Sequence, residues 1–375
     1  MELSCEKTLL LTAILNVTRA VPPRSTVAAL EGILFQAEGD RLTLSGYNLE
    51  VGIRESIEAQ VVSPGSIVIA ARLLGEIVRR LPDANVEIKM LDNMVVSINC
   101  GMAEYEITAC LHGDTFPTMP FVEEEEESAE IPSDALKEMI RGTIFAVAEN
   151  DTKKIHMGSK FVWVGDTLTV VSIDGYRLAL RRNKFQGKLP SGDFVVSGSA
   201  LREVERLLPE GDDSARLVLG NKHICFEIGN VRLTTRLMEG DFINYEATIP
   251  AEMPILATVR TKDFESSIER VSLLINEKIK NPIRLKVQKD RINMACMTAL
   301  GAARDMCQAE VEGLPDEENG MEIGFNHRYL LEALRTLPGE QCKIKFANPL
   351  SPCVIIPPEG EDFLYMVLPV RLRAE

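Results

Sequence analysis

Tryptophan occurs once in the 375 residues, histidine four times, and aromatic residues together make up only 5% of the chain. His112, His156, His223 and His327 lie far apart, which removes the close imidazole spacings on which zinc sites depend. GxSxG, GxxxxGKS/T, HExxH and the glycine-rich strand-to-helix fingerprint are all missing. No nucleophile elbow, phosphate loop or dinucleotide site is therefore written in the chain. The eight cysteines (Cys5, Cys100, Cys110, Cys225, Cys296, Cys307, Cys342 and Cys353) include no CxxC pair and sit within apolar runs. Reduced core thiols are expected, not disulfides or metal ligands. No apolar run reaches the roughly 18 residues that a spanning helix needs, and the first residues lack a basic-then-apolar leader. A cytosolic chain with no cofactor and no metal is the expectation.

Positive charge is also in short supply: 41 Lys and Arg face 56 Asp and Glu, for a net charge of −15. Spread evenly, that balance would exclude a polyanion ligand, because phosphate contacts need cations. Five of the acids form one run, Glu123 to Glu127, which is expected to be a solvated linker.

What the chain does have is repetition. SIVIAARLLGEIVRRLPDA at 66–84, DFVVSGSALREVERLLPEG at 193–211 and MEIGFNHRYLLEALRTLPGE at 321–340 share one plan. Each is an apolar strand, a short hinge, an amphipathic helix and a Leu-Pro stop. Upstream of each copy lies a second recurrent block: GDRLTLSGYNLEVGI from Gly39, GDTLTVVSIDGYRLAL from Gly165 and KDRINMACMTALGAARD from Lys289. One third of the length is the size of an ordinary domain, so three self-sufficient copies are predicted, at 1–127, 128–251 and 252–375.

Each copy is predicted to hold two helices and about eight alternating strands, the helices covering one side of antiparallel sheets. The opening helices are expected at about 6–19, 133–148 and 262–276, the second capped by Ser133 with Leu136, Met139, Ile140, Ile144 and Phe145 on one face. Leu73, Leu74, Ile77, Val78 and Leu81 form the apolar stripe of the first repeat helix. Its polar side carries Arg72, Arg79 and Arg80, the second repeat helix Arg202 and Arg206, and the third Arg328 and Arg335. Lys7, Arg19, Lys137, Arg141, Lys262 and Arg270 extend the pattern to the opening helices, with Glu76, Glu203, Glu205, Glu269 and Glu332 interrupting it. Basic helix faces on an acidic chain predict a divided surface, one side of which attracts a polyanion.

SIDGYRLAL at 172–180, INEKIKNPIRLKV at 275–287, EIGFNHRYLLEAL at 322–334 and LSPCVIIPPEGEDFLYMVLPVRL at 350–372 are collinear with this repeat. Together they resemble the bacterial DNA polymerase III beta subunit, the replicative sliding clamp. The resemblance implies an α+β DNA clamp fold of three tandem domains and a head-to-tail homodimeric ring around double-stranded DNA, held through phosphates without reading sequence. It implies no catalysis. Implied partners are the polymerase III alpha subunit, the clamp loader, and repair polymerases and mismatch-repair proteins that dock by a short linear motif. For the motif pocket it implicates Gly175, Tyr176, Arg177, Leu178, Ile243, Asn326, Tyr329, Leu350, Pro352, Met366, Leu368, Pro369, Val370, Arg371 and Leu372. In that reading aliphatic groups accept the peptide's Leu and Phe, while Arg and Asn bind its polar atoms. For DNA it implicates Arg24, Arg72, Arg79, Arg80, Lys137, Arg141, Asn150, Lys153, Arg202 and Arg206, and for the ring interface Tyr105 and Ile107 against Leu273 and Leu274.

Departures from the family pattern are Ile173 and Tyr176 in place of Thr and His, His156 at an aliphatic position, and Ile243 and Ala247 in place of Pro and Arg. Gly198-Ser199 replaces a basic pair, and Arg373–Glu375 run past the usual end. Two other readings are a hydrolase or transferase centred on Asp174, His156 and Arg177, which lacks a nucleophile or phosphate loop, and a clamp relative that has lost ring closure.

Overall fold

The computed structural model describes all residues except 109, 121, 123–126, 151, 186–191, 277–280 and 373–375. The expected acidic linker, save the backbone of Glu127, and the C-terminal extension lie outside the described residues. Six helices are present among the described residues: α1 (Lys7–Thr18), α2 (Ala71–Arg80), α3 (Ser133–Ile144), α4 (Gly198–Leu207), α5 (Thr261–Ser272) and α6 (His327–Leu334). α3 and α5 stop four residues short of their predicted ends, and α1 one residue short. Each third of the chain therefore supplies two helices, and the described strands number ten, eight and eight along it.

Local chemistry explains the helix limits. In α1 the buried residues Leu10, Ala13, Ile14 and Val17 fall at helical spacing. In α2 Leu74, Ile77 and Val78 are buried, whereas Leu73 is 49% exposed, so the apolar stripe is narrower than the sequence suggests. Pro82 ends this helix by excluding the helical region for Leu81, which is extended at φ −65 and ψ 151. Ser133 does not cap α3. It is the first helical residue, its N–H donates to the carbonyl of Asp213 at 2.8 Å, and its buried hydroxyl has no partner. All eight cysteines are buried and free, and burial pushes the thiols of Cys5, Cys307 and Cys353 up to about 12.

The chain forms two compact units, one made of residues 1–136 and 203–237, the other of 137–202 and 238–375. In the first, a five-stranded sheet ends on Ala103–Ile107, and a nine-stranded sheet joins Val51–Glu58 antiparallel to Val231–Arg236. In the second, one twelve-stranded sheet joins Arg177–Lys184 antiparallel to Phe363–Val367. The two joins repeat one plan: the strand after a GYNLEVGI-type block pairs with the last strand of the next copy. In the third copy the corresponding strand is Gly301–Glu312. Its first eight residues pair with Arg291–Thr298, and among the described residues their other edge has no strand beside it. In the first copy Ala103–Ile107, the edge strand of the five-stranded sheet, likewise pairs on one side only among the described residues.

Candidate functional site

Arg177–Lys184 is the strand around which the second unit's candidate site is built. It begins at a turn in which Asp174 Oδ1 accepts the N–H groups of Tyr176 and Arg177, each at 3.0 Å, and Gly175 takes φ +84. That left-handed position favours glycine, and the carboxylate is occupied in holding the turn. Asp174 Oδ2 also accepts from Arg177 Nε at 3.0 Å. The Arg177 guanidinium pairs with Glu332 of α6 and lies over the rings of Tyr329, at 4.5 Å, and Phe145, at 5.5 Å. Tyr176 stacks on Tyr329 with centroids 6.1 Å apart. Burial, followed by the charge of Asp174, pushes the Tyr329 phenol up. Asn326 caps α6, its Oδ1 accepting from the Arg328 N–H at 3.1 Å. These side chains line a cleft of about 380 Å³ that also includes Val147, Asn150, Asn276 and Asn281. With Arg177 and Asp174 engaged with each other and Arg177 also with Glu332, this cluster is a braced wall.

Leu178 faces the other way, since successive strand residues alternate between faces. Its register partner is Met366, while Arg177 is opposite Val367. Leu178 and Met366 cluster with Val171, Ile173, Leu180 and Val354, and Phe242, Tyr245, Met253 and Leu368 pack on them half-buried. The sequence-predicted pocket is thus two surfaces: Gly175, Tyr176, Arg177, Asn326 and Tyr329 gather on the cleft side, Leu178, Met366 and Leu368 on the apolar side. His156 reaches the apolar side edge-on to Phe242, at 6.1 Å. The tail after Met366 joins the two: the Leu368 N–H donates to Tyr176 O at 2.9 Å and the Val370 N–H to Gly324 O at 2.8 Å. Leu372 lies against Gly324, where any Cβ would strike it. Pro352 and Pro369 are half-buried, and Ile243, Leu350, Val370 and Arg371 are exposed. Phe242, Tyr245, Val171 and Val354 were absent from the sequence-derived set; alternation along 171–173 and 353–367 was the signal for the last two.

Arg24, Arg72, Arg79, Arg80 and Arg206 are exposed in the first unit, and Arg141, Asn150, Lys153 and Arg202 in the second, where Lys137 is half-buried. Many of these helix cations have local acids. Glu76 binds Arg79 and Arg80, Glu203 binds Arg206 at 2.5 Å and Arg19 at 3.4 Å, and Arg335 reaches Glu269 at 2.7 Å. The six helices hold eleven basic residues (Lys7, Arg72, Arg79, Arg80, Lys137, Arg141, Arg202, Arg206, Lys262, Arg270, Arg328). Against them stand nine acidic ones (Glu76, Asp134, Glu138, Glu203, Glu205, Asp263, Glu265, Glu269, Glu332). The helices are slightly positive in a chain of net charge −15, so the negative surplus lies on strands and loops.

Of the interface candidates, Leu273 is 83% exposed at the end of α5 and Leu274 half-buried. Tyr105 stands at the rim of an edge strand, but Ile107 is only 4% exposed. Opposite Val96 in register, Ile107 packs into its own sheet, so Tyr105 is the more accessible of the two.

Three helix-pair and antiparallel-sheet copies joined strand to strand define a DNA clamp fold. The profiles of the DNA polymerase III beta subunit match in order: its N-terminal domain over residues 1–120, its central domain over 130–244 and its C-terminal domain over 246–371. The chain belongs to the DNA polymerase III beta subunit family, the bacterial sliding clamps, which are non-catalytic processivity factors of the polymerase. It is 30% identical to the beta sliding clamp of Bacillus subtilis over 99% of this chain and 100% of the other. The crystal structure of the DNA polymerase sliding clamp from Bacillus subtilis superposes with a TM-score of 0.95 at 29% identity, covering 100% of both chains. A Pseudomonas aeruginosa sliding clamp bound to griselimycin gives a TM-score of 0.91 at 28% identity, covering 99% of this chain and 100% of that one.

Proposed function

We propose that two copies of this chain close head to tail into a ring around double-stranded DNA and tether the polymerase through the apolar surface around Leu178, Met366 and Leu368. The repeated strand join carries the reading. Both joins inside the chain use the same pair of strands, and the pair left over, Gly301–Glu312 and Ala103–Ile107, is the one a third join would use. Two chains joined twice in this way satisfy both open edges, which are otherwise sites of uncontrolled association. The ring interface would then include Tyr105, Leu273 and Leu274, and domain limits near 127 and 251 would fall between successive copies.

The helices would face the DNA, with Arg24, Arg72, Arg79, Arg80, Lys137, Arg141, Asn150, Lys153, Arg202 and Arg206 meeting phosphates. Because Arg79, Arg80 and Arg206 already have acids beside them, their contacts would be weak, which suits sliding. Peptide recognition would centre on the apolar side, with Tyr176 and the tail residues Pro369 to Leu372 at its rim, Ile243, Leu350 and Pro352 around it, and Gly175, Arg177, Asn326 and Tyr329 as the braced wall behind. The alpha subunit, the clamp loader and repair proteins would share this surface, in the cytoplasm. Among the described residues no helix is long and apolar enough to cross a membrane. Native mass spectrometry together with capture on a QLxLF-type pentapeptide tests the reading. A dimer that binds the peptide is expected; a monomer at micromolar concentration, or a dimer indifferent to the peptide, would refute it.

A further inference from the structure

The hairpin register of the three copies fixes which of their positions are equivalent. Leu42, Leu168 and Ile292 hold the same place after Asp40, Asp166 and Asp290, and they lie opposite Ile57, Asn183 and Cys307. Counting back equally from those partners makes Arg54, Leu180 and Arg304 equivalent. In the first join Arg54 lies opposite Arg232. Arg232 is the second residue after the turn Gly229-Asn230, and Glu104 holds that place after the turn Gly101-Met102. Repeated once more between two chains, the join sets Arg304 opposite Glu104.

The strand faces agree with this register. Asp305 accepts from Arg270 of α5 at 2.6 Å, just as Glu55 and Arg181 at the same repeat position reach Asn16 of α1 and Glu138 of α3. Asp305 therefore faces the helices, and its neighbour Arg304, which is exposed, faces away. On the other strand Ile107 is buried and Tyr105 lies opposite the buried Ile98, which leaves Glu104 and Glu106 on the outer face. Arg304 opposite Glu104 keeps inner residues beside inner ones, and a slip of one residue would cross the faces. The same register sets the small Ala303 against the ring of Tyr105 and brings Met306, 46% exposed, level with the fully exposed Met102.

Resting on the ring reading, we propose that Arg304 of one copy and Glu104 of the other pair at each closure and set the register in which the two edge strands meet. At the same rung the joins inside the chain hold Arg54 with Arg232 and Leu180 with Leu364, where the continuous chain supplies proximity. Separate chains, each of net charge −15, repel one another. A cation opposite an acid at the point of closure offsets that repulsion and rejects misaligned encounters. A slip of two residues would bring Arg304 to Glu106 instead, so charge alone allows two registers and the repeat chooses between them.

Sedimentation equilibrium of the full chain is the test. Arg304→Glu and Glu104→Arg should each weaken the dimer at least about tenfold, and the two together should return it to within about threefold of the parent. Single variants that dimerise like the parent overturn the register and leave the ring standing. So does a recovery with Glu106→Arg as complete as that with Glu104→Arg. A parent that is monomeric at micromolar concentration overturns both. Oxidation supplies a second measurement, because all eight native cysteines are buried. Residues directly opposite one another lie about 4.5–5.5 Å apart at Cα, within the reach of a disulfide at about 4.4–6.8 Å, and those two places off lie beyond it at about 7–8 Å. Arg304→Cys with Glu104→Cys should give a covalent dimer and Arg304→Cys with Glu106→Cys should not; the reverse, or no difference between the pairs, overturns the register.

Discussion

Replacing Gly142 with alanine should destabilise the second unit, and the same change in an Arg181→Ala background should cost little. A Cβ on Gly142, in α3, would strike Arg181 Nε, lie 2.9 Å from Arg181 Cγ and 3.0 Å from the Tyr365 hydroxyl. Arg181 has little freedom to move. Its guanidinium donates to Tyr365 Oη at 2.9 Å, to Glu138 at 2.9 Å and to the Thr336 carbonyl at 2.8 Å, with its side chain 5% exposed. Hydrogen bonds to charged groups are worth about 1.5–3 kcal/mol each. The Glu138 bond deserves less, because that carboxylate is 54% exposed. Losing the equivalent of one such bond costs about 2–3 kcal/mol, against a gain of about 1 kcal/mol from alanine's helix propensity. The net loss is about 1–2 kcal/mol, and with the Arg181 side chain cut back to Cβ only the 3.0 Å approach to Tyr365 Oη offsets the gain.

Urea unfolding of the four proteins of this cycle measures the coupling. The sole tryptophan, Trp163, is buried in the second unit, so its fluorescence reports the relevant transition. A coupling near 2 kcal/mol is expected; additivity within about 0.5 kcal/mol would show that Arg181 does not occupy the space that excludes a side chain at Gly142.

Leu368→Ala should weaken capture of a QLxLF-type peptide at least about tenfold while the dimer persists, and unchanged affinity by fluorescence polarisation would displace the proposed pocket. Leu273→Asp, at an exposed position, should leave folding within about 0.5 kcal/mol of the parent yet convert the dimer to monomer in sedimentation equilibrium; an intact dimer would refute the interface. Burial raises the Glu55 carboxyl above its ordinary 4.5, with the Asn16 hydrogen bond opposing. An acid whose folded pKa is the higher one loses stability as it ionises. Glu55→Gln should therefore stabilise the first unit at pH 7 and lose that advantage below pH 4.5; a gain independent of pH would contradict the buried-charge argument.

The repeat made the architecture legible because each copy ends its second helix with Leu-Pro, and that stop is readable without any tertiary knowledge. Ser133 misled because N-capping residues are recognised by type, while here the preceding strand and the Asp213 carbonyl fix the start of α3. The division of the candidate pocket was hidden for a different reason. Arg177 and Leu178 are neighbours in sequence, so a motif groups them, yet the pleat sends them to opposite faces. Arg181 reads as a polar strand position in the sequence, and only packing reveals that it is braced by three acceptors.

The central claim is topological enclosure, and retention on plasmid DNA tests it most directly. After loading by a bacterial clamp loader, labelled protein should stay on nicked circular DNA through gel filtration in moderate salt and run off once a single restriction cut makes the plasmid linear. Equal retention on circular and linear DNA would mean that the chain grips the duplex instead of surrounding it, and would contradict the ring.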